Sequence, residues 1–465
     1  MSAKDIYLFD SQAGEKRLFV PVEAGRVKMY VCGMTVYDLC HIGHARGMIV
    51  FDMIAQYFRH CGYEVTYIRN ITDIDDKIIK RANEAGCSAQ ALTQRYIEAM
   101  GVDFEQLGIK PVTEEPKATD YVDQMKTLIQ RLIDKKLAYQ GEDGDVYFAV
   151  DALPSYGYLS RRNIHQMQQG VRIAVKSAKR FPLDFVLWKM AKPGEPAWAS
   201  PWGLGRPGWH SECVVMSQAL LGSTFDIHGG GMDLKFPHHE NECAQAMGLA
   251  DGDFARYWMH VGLLEVNHEK MSKSLNNFVT IREALKQAPK EVLRYFYLQG
   301  HYRSPINYSQ EALLQSKRTL DGLYTALRGL EGASVEPYDT SAWVDGFHDA
   351  MRDDFNTPQA LTVLFEMSRM INRLKSDHEH AQAASVAEAM KGLGGLLGIL
   401  QTPVDEYFQG GEAVDRSKIL KLVAQRQVAR EEKNWALADQ LRQELDQMGV
   451  SVEDGADGVS WRYKK

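Results

Sequence analysis

Met29-Tyr30-Val31-Cys32-Gly33, followed by His41-Ile42-Gly43-His44 and then Val65-Thr66-Tyr67-Ile68, is the stretch that decides the fold. The first segment is a short apolar run ending in glycine, the pattern of a buried strand meeting a turn. From 44 to 59 apolar residues recur at helical spacing, with Ile49, Met53 and Tyr57 on one face. The second apolar run leads into Thr72-Asp73-Ile74-Asp75-Asp76 and a helix carrying Ile78 and Ile79. Thr72 or Asp73 would cap that helix. The acidic run lacks the spacing of a calcium loop, so a cap is its simpler reading. Strand, helix and strand in this order predict an α/β fold: a Rossmann-like parallel sheet with its ligand site at the carboxyl ends of the strands.

Outward from that unit the texture changes. Residues 1–116 read as the first half of the sheet domain and 117–207 as an inserted subdomain. The insertion holds a helical run at 121–137 and strand candidates Val146-Tyr147-Phe148 and Phe185-Val186-Leu187-Trp188. The Pro/Gly/Trp-rich segment from 201 to 209 cannot be a regular helix. The sheet domain resumes over 208–262, with a strand at 224–228 and a helix from about His239. A loop and stem-contact region covers 263–310, an all-α bundle 311–408, and a small C-terminal domain 409–465. Helical runs lie at 311–330, 341–353, 359–376 and 381–400, then at 417–430 and 435–448, with Gly410-Gly411 as a linker.

At 465 residues with 45% hydrophobic content, the chain can bury a large core. No run approaches the roughly 18 uncharged apolar residues of a membrane span. The N-terminus lacks an export signal. A soluble cytoplasmic protein is the expectation. The six cysteines, at 32, 40, 61, 87, 213 and 243, form no C-x-x-C pair, so a metal site would have to gather distant segments. The formal net charge of -7 gives no overall basic face for nucleic acid, though a sum over the chain says nothing of local patches.

Two segments carry phosphate chemistry. His41 and His44 flank Gly43 where a helix opens, so free N–H groups, the helix dipole and two imidazoles would face a polyphosphate, with Gly43 permitting close approach. Lys270-Met271-Ser272-Lys273-Ser274 puts two lysines three apart among small hydroxyl residues, suited to a loop that clamps phosphates. Alone, such a pentamer is a solvated basic turn. Its pairing with the histidine segment gives it weight.

Together these two segments resemble the paired fingerprints of class I aminoacyl-tRNA synthetases. The surrounding residues narrow the resemblance to the cysteinyl-tRNA synthetases. They are Tyr30-Val31-Cys32-Gly33-Met34-Thr35-Val36-Tyr37-Asp38, Asn70-Ile71-Thr72-Asp73-Ile74-Asp75-Asp76-Lys77 and Gly205-Arg206-Pro207-Gly208-Trp209-His210-Ser211-Glu212-Cys213. Phe225-Asp226-Ile227-His228-Gly229-Gly230-Gly231-Met232-Asp233-Leu234 and Phe236-Pro237-His238-His239-Glu240-Asn241-Glu242 complete the set. The resemblance runs over essentially the whole chain, and both fingerprints are intact.

The resemblance implies an ATP-dependent ligase that joins L-cysteine to its tRNA, with Mg2+ accompanying ATP and one zinc ion recognising the substrate thiol. It implies Cys32, Cys213, His238 and Glu242 as zinc ligands. Two thiolates, an imidazole and a carboxylate suit zinc. Helix phase alone does not choose these over the neighbours His239 and Glu240. His41, Gly43, His44, Gly229, Gly230, Gly231, Asp233, Lys270 and Lys273 are implied around ATP, with His41, His44, Lys270 and Lys273 on the reacting phosphates. Cys32, Gly33, Thr72, Trp209 and His228 are implied around the amino acid. Arg430, Trp435, Asp439 and Asp454 are implied at the anticodon, where Arg426, Lys433, Arg442 and the Trp461-Arg462-Tyr463 end add basic and aromatic side chains. Zinc selects sulfur over the oxygen of serine, so no editing domain is expected. A monomer without membrane attachment is expected. Two other readings differ in class or acceptor. A mycothiol-pathway cysteine ligase would keep the catalytic residues but lack the full C-terminal end. A non-catalytic RNA-binding relative would have lost a nucleotide fingerprint.

Overall fold

The computed structural model describes residues 5–162, 178–249, 253–271, 277–409, 416–455 and 458–463. The chain forms two compact units. One comprises Met1–Lys317, Ala342–Val363 and Leu396–Gly398; the other comprises Arg318–Ser341, Leu364–Gly395 and Ile399–Lys465.

The first unit is built on four parallel strands in the order Phe254–Val261, Thr224–Gly231, Arg26–Thr35, Glu64–Thr72. The strand read from Met29 to Gly33 extends at both ends, and Val27, Met29, Tyr30 and Val31 are wholly buried. Such continuous burial marks a parallel strand covered on both faces. From the Arg26–Thr35 strand the chain first builds outward on one side, then returns to lay down Thr224–Gly231 on the other. The crevice at the carboxyl ends of those two strands is therefore the switch point where open α/β sheets bind ligands.

Ile42–His60 forms the first crossover helix. Ile49, Met53 and Tyr57 are buried as their spacing predicts, but so are Val50, Phe51, Ile54 and Phe58 on other faces. The helix is covered on more than one side. The expected cap of the next helix is corrected by the structure. Asp75, not Thr72 or Asp73, caps Asp76–Ala85 by accepting from the Lys77 N–H. Thr72 ends the Glu64–Thr72 strand, and Asp73 instead accepts from the backbone N–H and hydroxyl of Thr119.

Between the second and third sheet strands, Ala138–Gln140, Val146–Phe148, Phe185–Met190 and Gly205–Pro207 form an antiparallel sheet in that order. The Val122–Asp134 helix turns Met125, Leu128, Ile129 and Leu132 into a core shared with the Trp209–Leu221 and Glu240–Leu249 helices. The Pro/Gly/Trp-rich segment contributes the Gly205–Pro207 strand, and helix begins only at Trp209.

Helices dominate after 280, with Ile281–Gln287, Lys290–Leu298, Gln310–Leu327, Ser341–Arg352, Thr357–Ser376 and His380–Leu397 among them. No helix among the described residues is long and apolar enough to cross a membrane. In the second unit Arg416–Glu431 and Trp435–Gln447 pair, and the Gly/Asp-rich end is a hairpin, Val450–Gly455 with Gly458–Tyr463. Gly410-Gly411 lies outside the described residues.

Candidate active site and metal centre

Cys32 owes its aim to an irregularity in the central strand. The register shifts between Val31↔Arg69 and Met34↔Ile71, so Cys32 and Gly33 together face Asn70. An extra residue of this kind bends a strand and re-aims its side chains. Only glycine fits at 33, because a Cβ there would lie 1.8 Å from the Asn70 carbonyl oxygen. Cys213 comes from the first turns of the Trp209–Leu221 helix, and Glu242 from Glu240–Leu249. His238 stands in the π-helical turn Lys235–His239 just before that helix.

These four side chains converge and are essentially buried. Cys32 Sγ lies 3.6 Å from Cys213 Sγ and 3.6 Å from Glu242 Oε1. His238 Nε2 lies 3.5 Å from Cys213 Sγ and 3.0 Å from Glu242 Oε1. Ligands at ordinary zinc bond lengths around a tetrahedral centre stand about 3.3–3.8 Å apart. The donor set and its spacing fit a metal ion with a modest outward adjustment of one pair.

The proton arrangement points the same way. Burial pushes the Cys32 thiol well above its ordinary value. At Cys213 burial is outweighed by hydrogen bonds from Cys32 and His238, bringing it down to about 6. Burial would neutralise His238, yet Glu242 and Cys213 hold it up at about 10. Glu242, buried against His228 and His238, lies well below the usual carboxylate range. A dication would displace the protons that now balance these anions.

A second group, Cys32, His228, His239 and Glu242, shares two members with the first. His239 Nε2 lies 3.3 Å from Cys32 Sγ, and its Nδ1 lies 2.9 Å from His260 Nε2; the other His260 nitrogen, Nδ1, reaches Ser11 Oγ at 2.8 Å. His228 Nε2 contacts the other Glu242 oxygen, Oε2, at 2.7 Å. Glu240 is not a ligand candidate: it accepts from the backbone N–H groups of Gly157 and Ser160 and so fastens the inserted segment. His210 meets the outer nitrogen of His238, Nδ1 to Nδ1 at 2.9 Å. Trp209 stacks on His238 with ring centroids 4.0 Å apart.

Sequence reasoning missed the layer formed by His210, His260 and Trp258, the last stacked on His228. Their signal was the recurrence of histidine at 210, 228, 238, 239 and 260. The remaining cysteines stay apart: Cys40 contacts Met34, Cys243 contacts Met247, Cys61 is half-buried and Cys87 exposed.

Described residues of the two phosphate segments come close to each other where the first crossover helix opens. His41 caps the Ile42–His60 helix, its Nδ1 accepting from the N–H groups of Gly43 and His44 at 3.1 and 3.3 Å. This corrects the expectation that those N–H groups stand free for an anion. The His41 and His44 rings stack with centroids 3.5 Å apart, and enclosure lowers His44 well below its ordinary value. A Cβ on Gly43 would lie 3.3 Å from the Met271 methyl, so Met271 of the second segment comes close to the first. The Ile42 N–H donates to Val279 O, and the Ile281 N–H to Cys40 O. Lys270 is exposed on the short Glu269–Lys270 strand. Lys273, Ser272 and Ser274 lie outside the described residues.

Gly229, Gly230 and Gly231 are strand residues rather than a turn. A Cβ would collide with Phe51 at Gly229, with His239 at Gly230 and with Asp233 at Gly231. Their first consequence is thus close packing. Asp233 is exposed just beyond them.

At the C-terminus the candidates separate. Trp435 opens its helix 60% exposed, and Asp439 follows one turn later on the same face. Arg430 ends the preceding helix, and Asp454 faces Val459 in the hairpin. Trp461 is corrected: it packs with Ile419, Leu441, Leu445 and Val450 in a small core. Arg426 is buried too and offers no surface cation.

Comparison with known proteins decides the family. Residues 18–318 match the class I (C) tRNA synthetase catalytic domain, 346–401 the DALR domain and 417–462 the cysteinyl-tRNA ligase anticodon binding domain. The chain belongs to the cysteine–tRNA ligase family. It is 52% identical over 460 residues to the cysteine–tRNA ligase of Coxiella burnetii strain RSA 493 / Nine Mile phase I, covering 99% of this chain and 100% of that protein. It is 51% identical over 459 residues to that of Alkalilimnicola ehrlichii, covering 98% and 99%. In fold it is similar to methionyl-tRNA synthetase of Mycobacterium tuberculosis, with a TM-score of 0.57 at 16% identity over 80% of this chain and 90% of that one. Like other members of this ligase family, the chain is an enzyme of the class I group.

Proposed function

We propose that this chain couples ATP to the activation of L-cysteine and transfers the cysteinyl group to the 3′ end of its tRNA. The observation that carries the reading is the convergence of Cys32, Cys213, His238 and Glu242 at the sheet's switch point, in a chain that also holds both phosphate segments. In this reading those four residues hold zinc, which when bound supplies a sulfur-selective Lewis acid that distinguishes cysteine from serine. Around it the chain's own groups define the pocket. Trp209 lies flat on the metal-side histidine, His228 holds the far oxygen of Glu242, and Gly33 packs closely on the Asn70 backbone.

In activation the cysteine carboxylate attacks the α-phosphorus of ATP and pyrophosphate leaves. His41, His44, Lys270 and Lys273 position the phosphates and offset charge as it develops. The Met271 contact with the histidine segment supports their acting on one ligand. Gly229, Gly230, Gly231 and Asp233 border the nucleotide in this reading, with Mg2+ accompanying ATP. Cys32, Gly33, Thr72, Trp209 and His228 border the amino acid. The terminal adenosine of the tRNA then attacks the mixed anhydride, releasing AMP. Arg430, Trp435, Asp439 and Asp454 read the anticodon, supported by the exposed indole at 435. The segments divide as catalytic halves 1–116 and 208–262, insertion 117–207, loop region 263–310, bundle 311–408 and anticodon domain 409–465, in a cytoplasmic monomer.

The test is cysteine-dependent ATP–pyrophosphate exchange followed by charging of purified tRNA, with serine as control. Exchange and charging with cysteine alone are expected. Equal exchange with serine, or none with cysteine by zinc-loaded protein, contradicts the reading.

A further inference from the structure

The irregularity that aims Cys32 leaves a backbone donor to be satisfied. Gly33, opposite Asn70 where the strand register shifts, donates its N–H to the Asn70 side-chain oxygen at 2.8 Å. The amide nitrogen of Asn70 donates to Thr72 Oγ1 at 3.3 Å. The Thr72 hydroxyl donates to Glu212 Oε2 at 2.8 Å. Every side chain in this series is buried. Gly33 can only donate, so the Asn70 amide must turn its oxygen to Gly33 and its nitrogen to Thr72.

The series has an informative start and end. Gly33 follows Cys32, and Glu212 precedes Cys213, two residues whose sulfurs face each other at 3.6 Å. Those cysteines come from elements 181 positions apart in sequence. Asn70 and Thr72 stand at the carboxyl end of the neighbouring strand, between them. Glu212 Oε1 is buried without a hydrogen-bond partner among the described residues, so the bond to Thr72 is what its carboxyl group has there.

We infer that Asn70, Thr72 and Glu212 form a positioning clamp that holds the Cys32 and Cys213 segments at ligating distance before the metal arrives. None of the three belongs to a candidate ligand group, and each would act through the chain beside a sulfur ligand. The inference rests on the proposed zinc-binding reading of the cluster. Outer-shell partners of metal ligands typically govern affinity by roughly 10–100-fold.

The experiment measures zinc affinity of the full-length protein by competition with a chromophoric chelator, with far-UV circular dichroism and melting temperature beside it. Thr72→Val keeps the volume and removes the hydroxyl; Glu212→Leu keeps much of the bulk and removes the acceptor. Each is expected to weaken zinc by roughly 10–100-fold, with the circular dichroism of the wild type. The double variant should be no worse than about twofold beyond the weaker single, because one series is cut in both. Thr72→Ser, which restores the hydroxyl, should bind zinc as the wild type does. With cobalt in place of zinc, the weakened variants should also show an altered thiolate-to-metal absorption. Unchanged affinity in both single variants, or a fall in melting temperature with affinity intact, overturns the clamp. Should Thr72→Val not fold, Glu212→Leu alone decides. A wild-type chain that fails to hold zinc defeats the metal reading itself, which is a separate result.

Discussion

The metal cluster of the first unit and the helical pair of the second present function in opposite ways. At the cluster every polar side chain is buried, and nearly every one has a partner that can be named. Trp435 and Asp439, by contrast, are exposed on an amphipathic helix that looks like any solvated face. A buried charge demands a cause, since removing it from water without compensation is costly. An exposed one demands none. Chemistry can therefore be argued from geometry at the cluster, whereas recognition at the far end of the chain rests chiefly on kinship.

That contrast can be broken experimentally. Cys213→Ser should lower cysteine-dependent exchange by about 10³-fold or more, equivalent to about 4 kcal/mol in the barrier. Its zinc content should fall with it, while its circular dichroism stays that of the wild type. Lys270→Ala should cost exchange roughly 10²–10³-fold through lost charge stabilisation, with zinc content unchanged; a fall in zinc would merge the two sites. Trp435→Ala should reduce tRNA charging about 10–100-fold, the worth of roughly one or two stacked bases, and leave exchange intact. Equal losses in the two assays would place Trp435 outside anticodon recognition. The smallest effect is expected at Cys87, exposed and outside both candidate ligand groups. Cys87→Ser should change exchange by less than about twofold, as surface substitutions usually do.

The parallel sheet was legible because its strands are continuous apolar runs and its first helix opens on a distinctive segment. Their ends were less so. Helix capping near Thr72 was misplaced because three acidic or hydroxyl residues compete locally, and tertiary bonds to Thr119 and Glu212 decided among them. The glycine run read as a lining for a nucleotide, yet its immediate neighbours are Phe51, His239 and Asp233. Spacing says nothing of such contacts. Trp461 read as a recognition group because an aromatic beside arginine looks the same whether it faces solvent or a small core. The metal set could not come from spacing at all. Its members belong to three remote stretches, and the decisive device, a shifted register at Cys32, leaves no mark on the sequence except Gly33.

The most direct test of the central claim is zinc K-edge X-ray absorption on the purified full-length protein, with and without cysteine. Ligation by Cys32, Cys213, His238 and Glu242 predicts two sulfur neighbours at about 2.3 Å in the resting protein and a third on adding cysteine, with no change on adding serine. A resting site with one sulfur, as the competing group with His228 and His239 requires, or a sulfur count indifferent to cysteine, would contradict it.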